Sequence, residues 1–256
     1  MNLGLSNKKA LVTGASRGIG RAIADALAEE GASVAIVART EIEMSEFTDK
    51  NDQHESFVFD LMEEGAPQEM YRKVVEDFGV PDIVIHNVGG TLDIADPLCT
   101  MDEWRKVQRF NLDIPVELNR LIIPDMQNKK WGRIIHISSI ASLENQGPVP
   151  YCTAKAGLTA YTRSMGRIYS KDGISMSCIL PGAVFTEGGY WDDASQNRPQ
   201  HVDTYLKERM AIQRFGKLDE ISKMAVFLSS DYAGFIVGSA ITIDGGQGRC
   251  FFQVND

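Results

Sequence analysis

Tyr151 and Lys155 are the residues whose types and spacing most directly predict chemistry in this chain. Residues four apart on a helix share a face, so the phenol and the ammonium can project into one cleft. A free tyrosine has a pKa of about 10 and exchanges protons poorly near neutrality. A cation beside it favours the phenolate and should lower that pKa. The same spacing is common by chance in helices, so the weight of this pair depends on the motifs around it.

A glycine-rich turn between a strand and a helix is the second chemical signature. It comprises residues 14–20, with glycine at three positions. Gly14 permits a tight turn, Gly18 lets the backbone approach a pyrophosphate, and Gly20 lets the helix pack closely on the strand. The following helix supplies free N–H groups and partial positive charge at its N-terminus. Because strand and helix flank the turn on both sides, we predict dinucleotide binding rather than an ordinary connection.

The charges near this turn predict which dinucleotide is bound. NAD-binding proteins place an acidic residue at the end of the second strand to hold the ribose hydroxyls. This chain has Arg39 there, and Arg17 lies inside the glycine turn. Two guanidinium groups suit a 2′-phosphate in charge and geometry, although both could simply be solvated surface arginines. We therefore expect NADP(H) as cofactor.

The elements that must position these residues alternate between short apolar runs and longer amphipathic runs. Continuous β-branched runs are typical of parallel strands whose two faces are covered by helices. The pattern predicts an α/β fold of Rossmann type, with a doubly wound, seven-stranded parallel sheet and helices on both faces. Residues 40–55 are too polar and too few for a good helix plus two loops. The predicted strands are residues 9–13, 33–38, 56–59, 82–86, 133–137, 175–180 and 240–243, and the predicted helices are residues 19–30, 65–78, 101–128, 151–171 and 218–229.

Composition narrows the class of protein. The 256 residues carry a formal charge of −9 and are 43% hydrophobic, which indicates a full globular core and argues against a general nucleic-acid or anionic-membrane surface. We predict one domain over residues 1–256, in the cytoplasm, without a membrane span. The scatter of histidines and cysteines predicts no metal site and no disulfide. The four cysteines are Cys99, Cys152, Cys178 and Cys250.

An ordered set of motifs resembles the short-chain dehydrogenase/reductase family, in the single-domain branch similar to 3-oxoacyl-acyl-carrier-protein reductases. The resemblance extends from residue 9 to residue 246, and no single motif decides it. His86 and Val88 depart from the family's usual asparagine and alanine, and we expect His86 to be a packed histidine rather than a base. The motifs are residues 13–20, Asp60, residues 87–89, Asn111, Ser139, Tyr151 with Lys155, and residues 181–182.

The resemblance implies a catalytic set for the interconversion of a ketone and a secondary alcohol. Ser139 would hydrogen-bond the substrate oxygen, and Tyr151 would exchange the proton. Lys155 would hold the nicotinamide ribose and lower the tyrosine pKa, and Asn111 would anchor a water of the proton relay. Two donors aimed at the oxygen suit the negative charge that hydride transfer creates there, and no metal is needed.

The catalytic serine is open to an alternative. Counting back from Tyr151 favours Ser138, because the interval is one residue shorter than in the family pattern. Counting from the end of the strand favours Ser139. Successive strand residues point to opposite faces, so only one of the two can serve. We predict Ser139, with a shortened loop before Pro150.

The resemblance also implies contacts with the cofactor. Asp60 and Leu61 should meet the adenine, and residues 87–89 the adenine ribose. The Val184 backbone and the Thr186 hydroxyl should face the carboxamide. The predicted cofactor-binding set is Gly14, Ser16, Arg17, Gly18, Ile19, Gly20, Arg39, Asp60, Leu61, Asn87, Gly89, Tyr151, Lys155, Pro181, Gly182, Val184 and Thr186.

The substrate is the least determined feature. Residues 183–216 form an insertion that we predict to be a substrate lid, with a helix near residues 202–211. Its polar and aromatic composition leaves a polar or sugar-derived substrate as an alternative to an acyl chain. A non-catalytic dinucleotide sensor is a rival, disfavoured because all four proton-transfer residues are present. The helix at 101–128 suggests a homotetramer or homodimer by resemblance. The predicted pocket residues are Leu143, Glu144, Asn145, Gln146, Tyr190, Trp191, Asp192, Asp193, Gln196 and Arg198.

Overall fold

The computed structural model describes residues 2–40, 42–49 and 52–249. Their strands form one seven-stranded sheet in which every pairing is parallel. The predicted doubly wound Rossmann-type fold is confirmed. The strands are β1 (Lys9–Thr13), β2 (Ser33–Ala38), β3 (Glu55–Val58), β4 (Ile83–His86), β5 (Gly132–Ile137), β6 (Ile174–Pro181) and β7 (Ala240–Ile243), in the spatial order β3-β2-β1-β4-β5-β6-β7.

Helices cover both faces of this sheet. Alternate strand residues belong to opposite layers: Val12 packs in the layer that contains Ile23, while Leu11 packs in the layer that contains Leu118. Both faces are therefore apolar, which is why the strands read as continuous hydrophobic runs. The α-helices are α1 (Gly18–Glu29), α2 (Ile42–Thr48), α3 (Ala66–Asp77), α4 (Met101–Gln108), α5 (Ile114–Lys129), α6 (Val149–Tyr169), α7 (Tyr190–Asn197), α8 (Pro199–Arg209) and α9 (Leu218–Ser229).

The order of the strands creates the ligand crevice. β1 pairs with β2 on one side and with β4 on the other, so successive connections leave the sheet in opposite directions from β1. Ligands of open α/β sheets bind outside the carboxyl ends of the strands at such a switch point. The glycine turn after β1 and Asn87 after β4 meet there, where Asn87 Nδ2 donates to Gly14 O at 2.8 Å.

Three expectations about helices were wrong or incomplete. The region 40–55 contains α2, because Met44 and Phe47, one turn apart, are buried in the core and stabilise a short helix that propensity alone did not indicate. The predicted helix 101–128 is interrupted by a π-turn at Arg109–Asp113. Within the predicted lid, α7 was not expected, and α8 begins three residues before the predicted start at 202.

Other expectations concern the chain as a whole. Among the described residues, no helix is both long and apolar enough to cross a membrane. In the same part of the chain, no group of three His, Cys, Asp or Glu side chains could hold a metal ion. Cys99, Cys152 and Cys178 are free thiols, whereas Cys250 lies outside the described residues. The extent of the domain, the cytoplasmic location and the oligomeric state stay predictions.

Candidate active site

The Tyr151–Lys155 face of α6 lies against the carboxyl end of β5. Pro150 occupies the first turn of the helix, where its missing N–H costs nothing. The Lys155 ammonium lies 5.7 Å from the centre of the Tyr151 ring. It donates to Ile137 O at 2.9 Å, and the residue is only 3% exposed. The helix therefore turns both side chains toward the same end of the sheet.

Burial sets the proton affinities of both groups. Desolvation lowers the pKa of Lys155 to about 8, because the charged form is disfavoured away from water. Desolvation raises the pKa of Tyr151 above its usual value, and the hydrogen bond with the Ser139 side chain acts in the opposite direction. The expectation of a lowered tyrosine pKa was therefore wrong for the protein alone, because burial of the phenol outweighs the stabilisation of the phenolate.

The two serines after β5 point to different surroundings. Ser138 is buried, and its Oγ donates to Lys155 O at 3.2 Å and lies 2.9 Å from Thr159 Oγ1. Ser139 lines an open cavity together with Tyr151. The Ser139 Oγ also accepts from Ala141 N at 3.1 Å, at the start of a short 3₁₀ turn. Ser138 thus fixes α6 against the strand, while Ser139 faces the space available to a substrate.

Asn111 occupies the π-turn between α4 and α5. Its side chain is fully buried, with Oδ1 accepting from Gly90 N at 3.0 Å and Nδ2 donating to Gly90 O and Val107 O, both at 2.9 Å. A Cβ placed on Gly89 would lie 2.7 Å from Asn111 Oδ1 and 2.9 Å from Lys155 Nζ. The π-turn therefore brings Asn111 next to the loop after β4 and close to the lysine. Such turns are frequent at functional sites.

The glycine turn forms one wall of a groove with a cavity of about 310 Å³. Gly14 and Gly18 have φ of +64° and +61°, a conformation that favours glycine. Gly20 is buried against the Gly14 carbonyl and Asn87, so its contribution is close packing of α1. Ten of the predicted cofactor residues line this groove: Gly14, Ser16, Arg17, Gly18, Arg39, Asp60, Leu61, Asn87, Gly89 and Thr186.

The remaining predicted cofactor residues lie elsewhere. Pro181 and Gly182 line the larger cavity beside Tyr151, and Lys155 is buried beneath it. Val184 is buried and bridges to Gly216 in parallel fashion. Ile19 is only partly buried and packs against the core, outside the groove lining. Most of the set therefore lines two neighbouring cavities, which approach each other at Gly89 in the groove and Gly90 in the larger cavity.

Arg17 and Arg39 are both exposed and both line the groove. Within the described part of the chain, neither guanidinium has an ion-pair or hydrogen-bond partner. Asp60 and Glu187 line the same groove, so the site mixes charges of both signs. Two cations without a protein partner among the described residues, both in the groove lining, are suited to bind a phosphate.

The larger cavity, of about 1040 Å³, lies between Ser139 and Tyr151 on one side and α7 and α8, in the predicted lid, on the other. Trp191 is the centre of the lid, with its ring centre 4.3 Å from that of Tyr205 and 4.8 Å from that of Phe215. Of the predicted pocket residues, Asn145, Gln146, Tyr190 and Trp191 line the cavity. Leu143, Glu144, Asp192, Asp193, Gln196 and Arg198 lie outside its lining.

Sequence reasoning missed several residues of this cavity. Gln247 is 3% exposed and lines it, as do Thr91, Asp93 and His201. The available signal for Gln247 was its position just after the carboxyl end of β7, the edge of the sheet where the glycine turn, Asn87 and Ser139 also lie. Tyr205 and Thr204 on α8 also line it, as expected for residues within the predicted lid.

Comparison with known proteins identifies the family of this chain. A family model described as enoyl-(acyl carrier protein) reductase matches residues 14–247. The chain is 30% identical over 244 residues to the 3-oxoacyl-(acyl-carrier-protein) reductase FabG of Haemophilus influenzae, covering 94% of this chain and 98% of that protein. The chain belongs to the short-chain dehydrogenase/reductase family, as its motifs indicated.

Two solved structures share the fold over nearly the whole length of both chains. L-sorbose reductase from Gluconobacter frateurii, complexed with NADPH and L-sorbose, has a TM-score of 0.90 and 28% identity, and the match covers 96% of this chain and 98% of that one. A putative gluconate dehydrogenase from Agrobacterium tumefaciens has a TM-score of 0.88 and 29% identity, with 97% and 98% covered.

Proposed function

We propose that this protein is an NADP(H)-dependent oxidoreductase that interconverts a ketone and a secondary alcohol, with Tyr151 as acid and base. The observation that carries the proposal is that Ser139 and Tyr151 line one cavity, with the buried Lys155 ammonium 5.7 Å from the centre of the Tyr151 ring. Family membership supports the reaction class, and a structural neighbour complexed with NADPH supports the cofactor.

NADPH, held in the groove beside Arg17 and Arg39, would supply the hydride for reduction. Negative charge then develops on the substrate oxygen, and the Ser139 and Tyr151 hydroxyls donate to that oxygen. The Tyr151 Oη proton passes to the oxygen and produces the alcohol. The buried Lys155 ammonium lies 5.7 Å from the centre of the Tyr151 ring, where its charge favours the phenolate that remains after this transfer.

Asn111 and the arginines complete this proposal. Asn111 holds both the N–H and the carbonyl of Gly90, so it keeps the loop after β4 in place beside Lys155. Arg17 and Arg39 would hold the 2′-phosphate of the cofactor, and their lack of protein partners in the described residues supports that role.

Replacement of Tyr151 by Phe tests the acid–base assignment. The change keeps the ring and removes the proton donor, so kcat for NADPH-dependent ketone reduction should fall by about 10²–10⁴-fold while NADPH affinity changes little. Activity is measured as NADPH oxidation with a panel of ketones, and NADPH binding by fluorescence titration. Full activity in Tyr151→Phe would show that another group exchanges the proton.

A polar, sugar-derived substrate is the second candidate, and polar side chains in the cavity lining support it. Its lining includes polar side chains from Thr91, Asn145 and His201 beside the aromatic rings of the lid. L-Sorbose in one structural neighbour supports the same class. Faster turnover of medium-chain acyl ketones than of ketoses would rule this candidate out.

A further inference from the structure

Gln247 is a buried hydrogen-bonding centre that joins three separate parts of the cavity wall. It follows β7 directly after the turn at Gly245 and Gly246. Its side chain contacts the segment after β6, the lid helix α8 and the loop before α6, which are 64, 42 and 101 positions away in the sequence. One side chain therefore connects the turn near Pro181, the lid and the approach to Tyr151.

The orientation of the Gln247 amide follows from its partners. Ala183 N can only donate, and it lies 2.7 Å from Gln247 Oε1, so the oxygen must face the backbone. Gln247 Nε2 then faces the cavity, 2.6 Å from the Tyr205 hydroxyl and 3.4 Å from Gln146 Oε1. An amide nitrogen has no lone pair to offer, so it donates to both. Both hydrogens of the Gln247 amide nitrogen are therefore donated to other residues of the protein.

This orientation leaves the Tyr205 hydrogen available. The phenol oxygen accepts from Gln247, and no acceptor among the described residues takes the phenol hydrogen. The Tyr205 ring is held by Trp191, and the residue lines the same cavity as Ser139 and Tyr151. Burial raises the pKa of Tyr205 above its usual value, so the hydroxyl keeps its proton near neutrality.

We propose that Tyr205, oriented by Gln247, is a specificity-determining residue that donates a hydrogen bond to a substrate oxygen other than the reacting one. This inference rests on the proposed function and narrows its substrate to ketones or alcohols that carry a second oxygen. Gln247 acts through Tyr205 and is a positioning residue. A site that holds such a donor ready discriminates against substrates that leave it unpaired.

Kinetics with two ketones test the contact. L-Sorbose carries several hydroxyls, whereas 2-hexanone has the same number of carbons and none. In Tyr205→Phe, KM for L-sorbose should rise about tenfold and KM for 2-hexanone should stay within about threefold, with kcat little changed for both. Gln247→Met should act in the same direction, and the double variant should cost no more than the larger single change, because both remove one contact. Lys207→Met, on the exposed face of α8, is the matched control and should leave both KM values unchanged.

A measurement without substrate tests the role of Gln247 separately from the proposed function. Amide hydrogen exchange in residues 199–209 should become about tenfold faster in Gln247→Met, with no change in the core strands β1, β4 and β5. Hydrogen exchange can be measured even if the protein reduces no ketone. A failure of the proposed function is therefore distinguishable from a failure of the role assigned to Gln247. The inference is overturned if exchange in α8 is unchanged, if exchange rises throughout the chain, or if Tyr205→Phe alters KM equally for both ketones.

Discussion

Replacing Arg39 by Ala should weaken the binding of NADPH much more than the binding of NADH. Arg39 immediately follows β2, where an acidic residue would hold the ribose hydroxyls of NAD. Its guanidinium is exposed, lines the groove of about 310 Å³ and has no partner among the described residues. The variant should bind NADPH more weakly and NADH almost as before, because only NADPH carries the 2′-phosphate.

The magnitude follows from the exposure of the side chain. In water, two unit charges about 4 Å apart attract by about 1 kcal/mol, and a hydrogen bond to a charged group contributes about 1.5–3 kcal/mol net. Because Arg39 is exposed, the lower part of that range applies. At about 1.4 kcal/mol per factor of ten, the Kd for NADPH should rise about 10–40-fold. The Kd for NADH should change by less than about threefold.

Fluorescence titration of both cofactors at low and high salt is the appropriate assay. Wild-type affinity for NADPH should fall as salt rises, and Arg39→Ala should depend less on salt, since the lost interaction is a solvent-exposed charge pair. Arg105→Gln is a suitable control, because Arg105 is exposed on α4 and does not line the groove. Equal weakening of NADPH and NADH, or equal affinity of the wild type for both, would refute the phosphate clamp.

Three further outcomes are expected at the catalytic end of the sheet. Ser139→Ala should lower kcat by about 10²–10³-fold. Ser138→Ala should keep kcat but lose about 1–2 kcal/mol of unfolding free energy in a denaturant titration. The reverse pattern would assign the catalytic role to Ser138 and the structural role to Ser139. Lys155→Met should abolish activity yet raise the unfolding free energy at pH 7. The Lys155 pKa of about 8 lies below its value in the unfolded chain, so the unfolded chain binds more protons between about pH 8 and 10.5. The free energy of unfolding of the wild type should therefore rise with pH in this range. The variant should not show this rise. Burial lowers the pKa of His86 to about 4, so the free energy of unfolding should fall by up to about 3 kcal/mol as the pH drops from about 6.5 to 4. His86→Asn should flatten this pH dependence. An unchanged slope in the variant would assign the pH dependence to other groups.

His86 illustrates how far a residue type can be interpreted before its neighbours are known. The expectation of a packed histidine agrees with its position: it is buried, and its Nε2 lies 2.8 Å from Asn119 Oδ1. Asn119 Nδ2 lies 3.1 Å from His136 Nε2, and the two imidazole rings stack at 4.9 Å. The strand pattern indicated burial, but the partner on α5 is 33 positions away and could not be inferred from it.

The sequence by itself determined the features that are encoded locally. Continuous β-branched runs alternating with amphipathic runs specified a parallel, helix-covered sheet, because both faces of such strands must be apolar. The glycine turn and the Tyr151–Lys155 spacing predicted that these residues lie at the carboxyl edge of the sheet and on one helix face, because strand ends and helix periodicity have fixed geometry. These features require only near neighbours along the chain.

Only the tertiary structure decided the features that depend on distant residues. Ser139 rather than Ser138 faces the cavity because Thr159, on another element, engages Ser138. The Tyr151 pKa is raised because the whole fold, not one neighbouring cation, determines how far the phenol is desolvated. Tyr205 and Gln247 meet across 42 positions, and neither residue carries a local signature of that contact. Burial and side-chain orientation arise from packing between elements, so they could be read only after the chain had folded.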